Sequence, residues 1–171
     1  MSGIIATTLD IVNQDFLQNN FEFTKVNGSG FGKVINEGEI KVLDGGFVVL
    51  AGDYSENSGL IQAKLGTVAL ASGSRVSLDL SGDGLIQFAV DQASVDALAG
   101  VNNLGQITAN GGQVIMTAKV ANDLASTVVQ NSGTISAESI VEHEGNIFLS
   151  GSGGDVINTG ALSVASLTEA N

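Results

Sequence analysis

Five Asn-x-Gly triplets lead into one shared strand pattern: Asn36-Glu37-Gly38, Asn57-Ser58-Gly59, Asn103-Leu104-Gly105, Asn131-Ser132-Gly133 and Asn158-Thr159-Gly160. The same alternation follows each one: Ile40-Lys41-Val42, Ile61-Gln62-Ala63, Ile107-Thr108-Ala109, Ile135-Ser136-Ala137 and Leu162-Ser163-Val164. A second glycine anchor then opens Gly46-Phe47-Val48-Val49-Leu50, Gly66-Thr67-Val68-Ala69-Leu70, Gly112-Gln113-Val114-Ile115-Met116 and Gly145-Asn146-Ile147-Phe148-Leu149. The triplets are 21, 46, 28 and 27 residues apart. A repeat of roughly 20–28 residues holding two or three short strands is the period of a β-solenoid. The longest interval is either two coils or one coil with an insertion.

Alternation sends every second side chain to one face. Ile40, Ile61, Ile107, Ile135 and Leu162 then stack as one inward column, and Val48, Val68, Val114 and Ile147 as another. The Asn and Gly of each triplet are expected at sharp corners, where their tolerance of left-handed backbone is useful. Composition agrees. Hydrophobic residues make up 43 % of the chain but aromatics only 5 %, so small aliphatic side chains must build the core. Proline is absent, as suits interior strands that donate amide hydrogen bonds to both neighbours. Cysteine is absent too, so no disulfide supports the fold.

The expected architecture is all-β: one domain over residues 1–171, a right-handed parallel β-helix. Residues 1–30 read as an irregular segment or partial cap and 31–171 as coils. Three stretches break the repeat. Val76–Leu80 and Leu85–Val90 flank Ser81-Gly82-Asp83-Gly84, a hairpin signature. Gln92–Ala99 and Val120–Ser126 are alanine-rich and read as short helical or looped excursions.

Net charge is −12, and the six basic residues (Lys25, Lys33, Lys41, Lys64, Arg75, Lys119) are scattered. No basic patch is available for phosphates, which argues against nucleic acid and anionic membranes as partners. No apolar run approaches a membrane span of about 20 residues. His143, the only histidine, sits in Val141-Glu142-His143-Glu144-Gly145 without a nucleophile motif. The outward stripe Lys41, Gln62, Thr108, Ser136 and Ser163 carries neither the clustered carboxylates nor the basic residues that a polysaccharide-cleaving β-helix needs. The expectation is therefore no enzyme, no cofactor and no catalytic or metal residue. Ser81-Gly82-Asp83-Gly84 and Gly151-Ser152-Gly153-Gly154-Asp155 set a carboxylate among glycines, but neither recurs as a calcium-binding repeat does. The outward positions Val49, Ala69, Ile115 and Phe148, with Phe47 beside them, are apolar. They call for a cover from the Phe16-Phe21-Phe23 segment, the hairpin or the excursions, or else for a partner.

Several runs together resemble the secretion-domain region of filamentous-haemagglutinin-type exoproteins. They are Ile5-Ala6-Thr7-Thr8-Leu9-Asp10-Ile11 with Asp15-Phe16-Leu17, Val34-Ile35-Asn36-Glu37-Gly38, Gly84-Leu85-Ile86-Gln87-Phe88-Ala89-Val90, and Val129-Gln130-Asn131-Ser132-Gly133-Thr134-Ile135. The resemblance implies a right-handed parallel β-helix exported by two-partner secretion through an outer-membrane pore partner, and a secreted or bacterial-surface location. It implies a structural or adhesive segment, with a secretion-recognition module as the alternative and a carbohydrate-active enzyme as the remote one. The family pattern carries an Asn-Pro-Asn-type motif upstream of the Ala-Thr-Thr-Leu-Asp-Ile run. A chain without proline lacks it, and so reads as the C-terminal part of such a domain or as a divergent relative. Terminal coils expose unpaired strand edges, so end-to-end self-association into filaments is also expected.

Overall fold

The computed structural model describes residues 2–80, 87–121, 124–140 and 142–165. The chain enters through β1 (Gly3–Thr7), the short helix α1 (Asn13–Leu17) and β2 (Phe21–Thr24). A first coil follows: β3 (Lys33–Asn36), β4 (Glu39–Lys41) and β5 (Phe47–Gly52). The second is β6 (Tyr54–Asn57), β7 (Leu60–Gln62) and β8 (Thr67–Ser72). Then β9 (Arg75–Asp79) and β10 (Gln87–Gln92) leave the repeat. The third coil is β11 (Gly100–Asn103), β12 (Gln106–Thr108) and β13 (Gln113–Lys119), and the fourth is β14 (Thr127–Asn131), β15 (Thr134–Ser136) and β16 (Asn146–Ser152). A fifth begins with β17 (Asp155–Asn158) and β18 (Ala161–Ser163).

Corresponding strands of successive coils pair in parallel, giving three five-stranded sheets. Sheet A runs β1-β5-β8-β13-β16, sheet B β3-β6-β11-β14-β17 and sheet C β4-β7-β12-β15-β18. The fold is nearly all β, and its parallel coils make it β-helix-like. The 46-residue interval is one coil with an insertion, because β6 pairs directly with β11.

Both expected columns form. Ile40, Ile61, Ile107, Ile135 and Leu162 are in register down sheet C. Val48, Val68, Val114 and Ile147 are in register down sheet A. Ile61, Ile107, Ile135, Val68 and Val114 are fully buried. Burying each such side chain contributes about 1.5–3 kcal/mol.

The triplets do something other than what their corner position suggests. Left-handed backbone occurs at Asn19, Leu65, Gly28, Gly45, Gly111 and Gly153, and at no residue of these five triplets. The asparagines instead face inward and form a ladder. Nδ2 of Asn36 donates to Oδ1 of Asn57 at 2.8 Å, Asn57 to Asn103 at 2.8 Å, Asn103 to Asn131 at 2.8 Å and Asn131 to Asn158 at 2.7 Å. The glycines are there for space. A Cβ on Gly59, Gly105, Gly133 or Gly160 would strike the carbonyl oxygen of the triplet glycine one coil earlier.

The alanine-rich excursions contain no helix among their described residues. A helix of seven or eight residues cannot recover its nucleation cost in isolation. The backbone bonds across coils instead: Ser94 N–H donates to Lys119 O and Ala121 N–H to Ser94 O, both at 2.8 Å. The one described helix, α1, lies in the N-terminal segment.

Candidate functional surfaces

Strands β2, β9 and β10 form an antiparallel sheet in the order β10-β9-β2. Val76–Asp79 thus pairs with Gln87–Val90 as the hairpin signature requires, while its loop, residues 81–84, and residues 85–86 lie outside the described residues. This sheet covers the outward side of sheet A. Phe23, Val76 and Leu78 pack with Leu9, Phe47, Val49, Ala51, Ala69 and Ala71 into a second core. The cover expected for the apolar outer column is therefore present over the first two coils. It stops short of the fourth: Ile115 is half-buried and Phe148 is 52 % exposed. Between them and β10 lies an open groove of about 440 Å³, floored by Phe88, Val90, Ile115 and Phe148 and rimmed by uncharged polar side chains.

Asp53 is an anchor that sequence reasoning missed. It follows β5 and is 2 % exposed. Its Oδ2 accepts from the Lys25 ammonium at 2.7 Å and from Gly32 N–H at 2.8 Å, and Oδ1 accepts from the Ser94 hydroxyl at 3.2 Å. One carboxylate thus ties the N-terminal segment to the insertion. No local motif marks it.

On the outer side of sheet B, the Tyr54 hydroxyl donates to Glu56 Oε2 at 2.6 Å, and Asn102 Nδ2 donates to the same oxygen at 3.3 Å. The Lys33 ammonium lies 5.9 Å from the Tyr54 ring centroid. Burial first, then the Glu56 hydrogen bond, push the Tyr54 hydroxyl up to about 12.

His143 is exposed, and its backbone bridges to Ile140. Gly151–Asp155 forms the end of β16 and a turn at Gly153 into β17. Among the described residues, no three His, Asp or Glu side chains gather to hold a metal ion. The stripe Lys41, Gln62, Thr108, Ser136 and Ser163 does form one register column. Among the described residues no helix is long and apolar enough to cross a membrane.

Stacked parallel coils with an antiparallel sheet laid over one face define a β-helix-like scaffold that offers surfaces and strand edges. Among solved structures, the chain is similar to the HMW1 secretion domain from Haemophilus influenzae, with a TM-score of 0.78, 29 % identity and 95 % of this chain covered. The match spans 41 % of that chain, so this chain accounts for less than half of its length. No family model matches the chain, and no curated protein does.

Proposed function

We propose that this chain is a segment of a secreted exoprotein, exported by two-partner secretion through an outer-membrane pore partner and displayed outside the cell or on the bacterial surface. The observation that carries the reading is the likeness to a secretion domain along nearly the whole chain. The expected resemblance to filamentous-haemagglutinin-type exoproteins points the same way. In this reading the chain is one domain, residues 1–30 serving the N-terminal end and 31–171 forming coils. The coils wind right-handed, as parallel crossover connections almost always do. The segment is structural or adhesive rather than catalytic. A recognition module for the pore is the second reading, favoured by the neighbour being a secretion domain.

Co-expression with candidate outer-membrane pore proteins tests export. The reading expects the chain in the medium only when its cognate pore is present, and capture of the unfolded chain by the pore's periplasmic part. Secretion without any pore, or none with every candidate, overturns it. Turnover of an acidic polysaccharide, abolished by one carboxylate substitution, would replace it with an enzyme.

A further inference from the structure

An asparagine followed by glycine is prone to lose its side-chain amide, because a glycine N–H has no neighbouring side chain to keep it from the asparagine Cγ. The chain holds two such pairs, Asn27-Gly28 and Asn110-Gly111, and the fold treats them oppositely. We propose that Asn27 is a site of spontaneous deamidation in the folded chain, yielding aspartate and isoaspartate, and that the coil stack protects Asn110. The proposal rests on loop geometry and not on the export reading.

Asn27 and Gly28 form the tip of the loop that leads from β2 into the first coil. Ser29 N–H donates to Val26 O at 3.0 Å and closes a tight turn, in which Gly28 takes a φ of +82°. Both tip residues are exposed, and the space where Gly28 would carry a Cβ is open. Neither the Gly28 N–H nor the Asn27 side chain has a hydrogen-bond partner among the described residues. Attacking nitrogen and attacked amide are therefore both free to move together.

The reaction needs only water. The Gly28 nitrogen attacks Cγ of Asn27, a C–N bond forms, the bond from Cγ to the side-chain nitrogen breaks, and the N–H proton leaves with the ammonia. Water then opens the five-membered imide at either carbonyl. One opening gives aspartate; the other gives isoaspartate, with the main chain running through Cγ. Lys25 and Arg75 line the same cavity as Asn27, so the new carboxylate arises beside two cations.

At Asn110 the same chemistry is blocked from both sides. Its Oδ1 accepts from the Ser136 hydroxyl at 2.9 Å and from Glu138 N–H at 3.2 Å. Gly111 is buried, and its N–H donates to Glu138 O at 2.7 Å. The next coil thus holds the nucleophile and the amide in separate hydrogen bonds, and attack requires local opening of the stack. The consequences differ as well. Isoaspartate lengthens the main chain by one methylene. The loop carrying Asn27 is clamped at both ends on Asp53 Oδ2, by the Lys25 ammonium and by Gly32 N–H, so its tip absorbs the extra atom without disturbing the coils.

Incubation of the folded full chain in mildly alkaline buffer, followed by peptide mass mapping and labelling with an isoaspartate-specific methyltransferase, tests this. Asn27 should convert from amide to acid with isoaspartate among the products, and Asn110 should convert on the order of tenfold more slowly or less. The Asn27 rate should rise with pH, because the attacking amide must give up its proton. In denaturant the two rates should converge. The aged chain should keep its melting temperature. Asn27→Gln, whose longer side chain disfavours the ring closure, should abolish the label in the folded chain and leave the melting temperature unchanged. Equal rates at Asn27 and Asn110 in the folded chain overturn the proposal. So does an intact Asn27 after the denatured chain has converted, or a fall in melting temperature that tracks conversion at Asn27.

Discussion

Lys25 and Asp53, 28 residues apart, meet at 2.7 Å, with the carboxylate 2 % and the ammonium side chain 23 % exposed. The pair is held at one end by the coil stack and at the other by the segment leading into it. Removing the cation leaves a buried carboxylate with only Gly32 N–H and the Ser94 hydroxyl. Lys25→Met should cost about 2–3 kcal/mol in denaturant unfolding. Lys41→Ala, whose partner Glu39 is in open solvent, should cost less than about 0.5 kcal/mol. Equal losses would mean that Asp53 does not need its cation.

The asparagine ladder should be strongest in the middle. Asn103→Ala deprives Asn57 of an acceptor and Asn131 of a donor, both fully buried, and should cost about 2–3 kcal/mol. Asn158→Ala, at the exposed end, should cost under about 1 kcal/mol. Chemical denaturation of the two variants compares them directly.

Glycines of the same motif should differ by position. Gly105→Ala drives its Cβ against the Gly59 carbonyl and should separate coils two and three, lowering the melting temperature sharply. Gly38 starts the series with nothing within 4 Å of that space. Gly38→Ala should therefore change the melting temperature little. A similar fall in both would make the glycines a matter of chain flexibility instead of clearance.

Tyr54 is the only tyrosine, so its phenol can be titrated by ultraviolet absorbance without interference. The folded chain should give a midpoint near 12, and the unfolded chain the ordinary 10.0. The folded state favours the protonated phenol. That contribution is complete below pH 10 and is lost as pH rises through about 12. Glu56→Gln should bring the folded midpoint down. A folded midpoint at 10 would place the ring in water.

Side chains of one strand should divide by face. Ile107→Asp puts a charge between Ile61 and Ile135 and should unfold the chain. Gln62→Ala, on the outward stripe, should shift stability by less than about 0.5 kcal/mol. Like losses in melting experiments would mean that the strands are displaced by one residue.

The strand columns were legible in the sequence because a period of two fixes which face each residue takes, and the repeated triplet fixes where each strand begins. Ile61, Ile107 and Ile135 needed nothing more. The triplets do stand at corners, as their residue types suggested, but local preference pointed to left-handed backbone there, whereas the asparagine amides bond between coils. That bond joins residues up to 46 apart and has no local signature. The alanine-rich segments could be read as helical or looped, and spacing could not choose between the two: the neighbouring coils supply the backbone partners, at Lys119 and Ser94, that make them loops. Asp53 was illegible because its partners lie in three separate stretches. The cover over Val49 and Ala69 could be anticipated as a need, since apolar residues on an outward column require one. Its limit short of Phe148 could not, because it depends on how many strands the inserted sheet holds.

Within each of the three stacked sheets, a strand pairs only with the same strand one coil before and one after. Drawn out straight, the 27 residues from Asn131 to Asn158 would reach about 90 Å; wound, they lengthen the stack by about 4.8 Å. Winding therefore takes up chain almost twentyfold faster than the rod grows, and straightening a finished turn breaks its pairing in all three sheets. The turns are in effect a spool, which stores a long thread in a short rod.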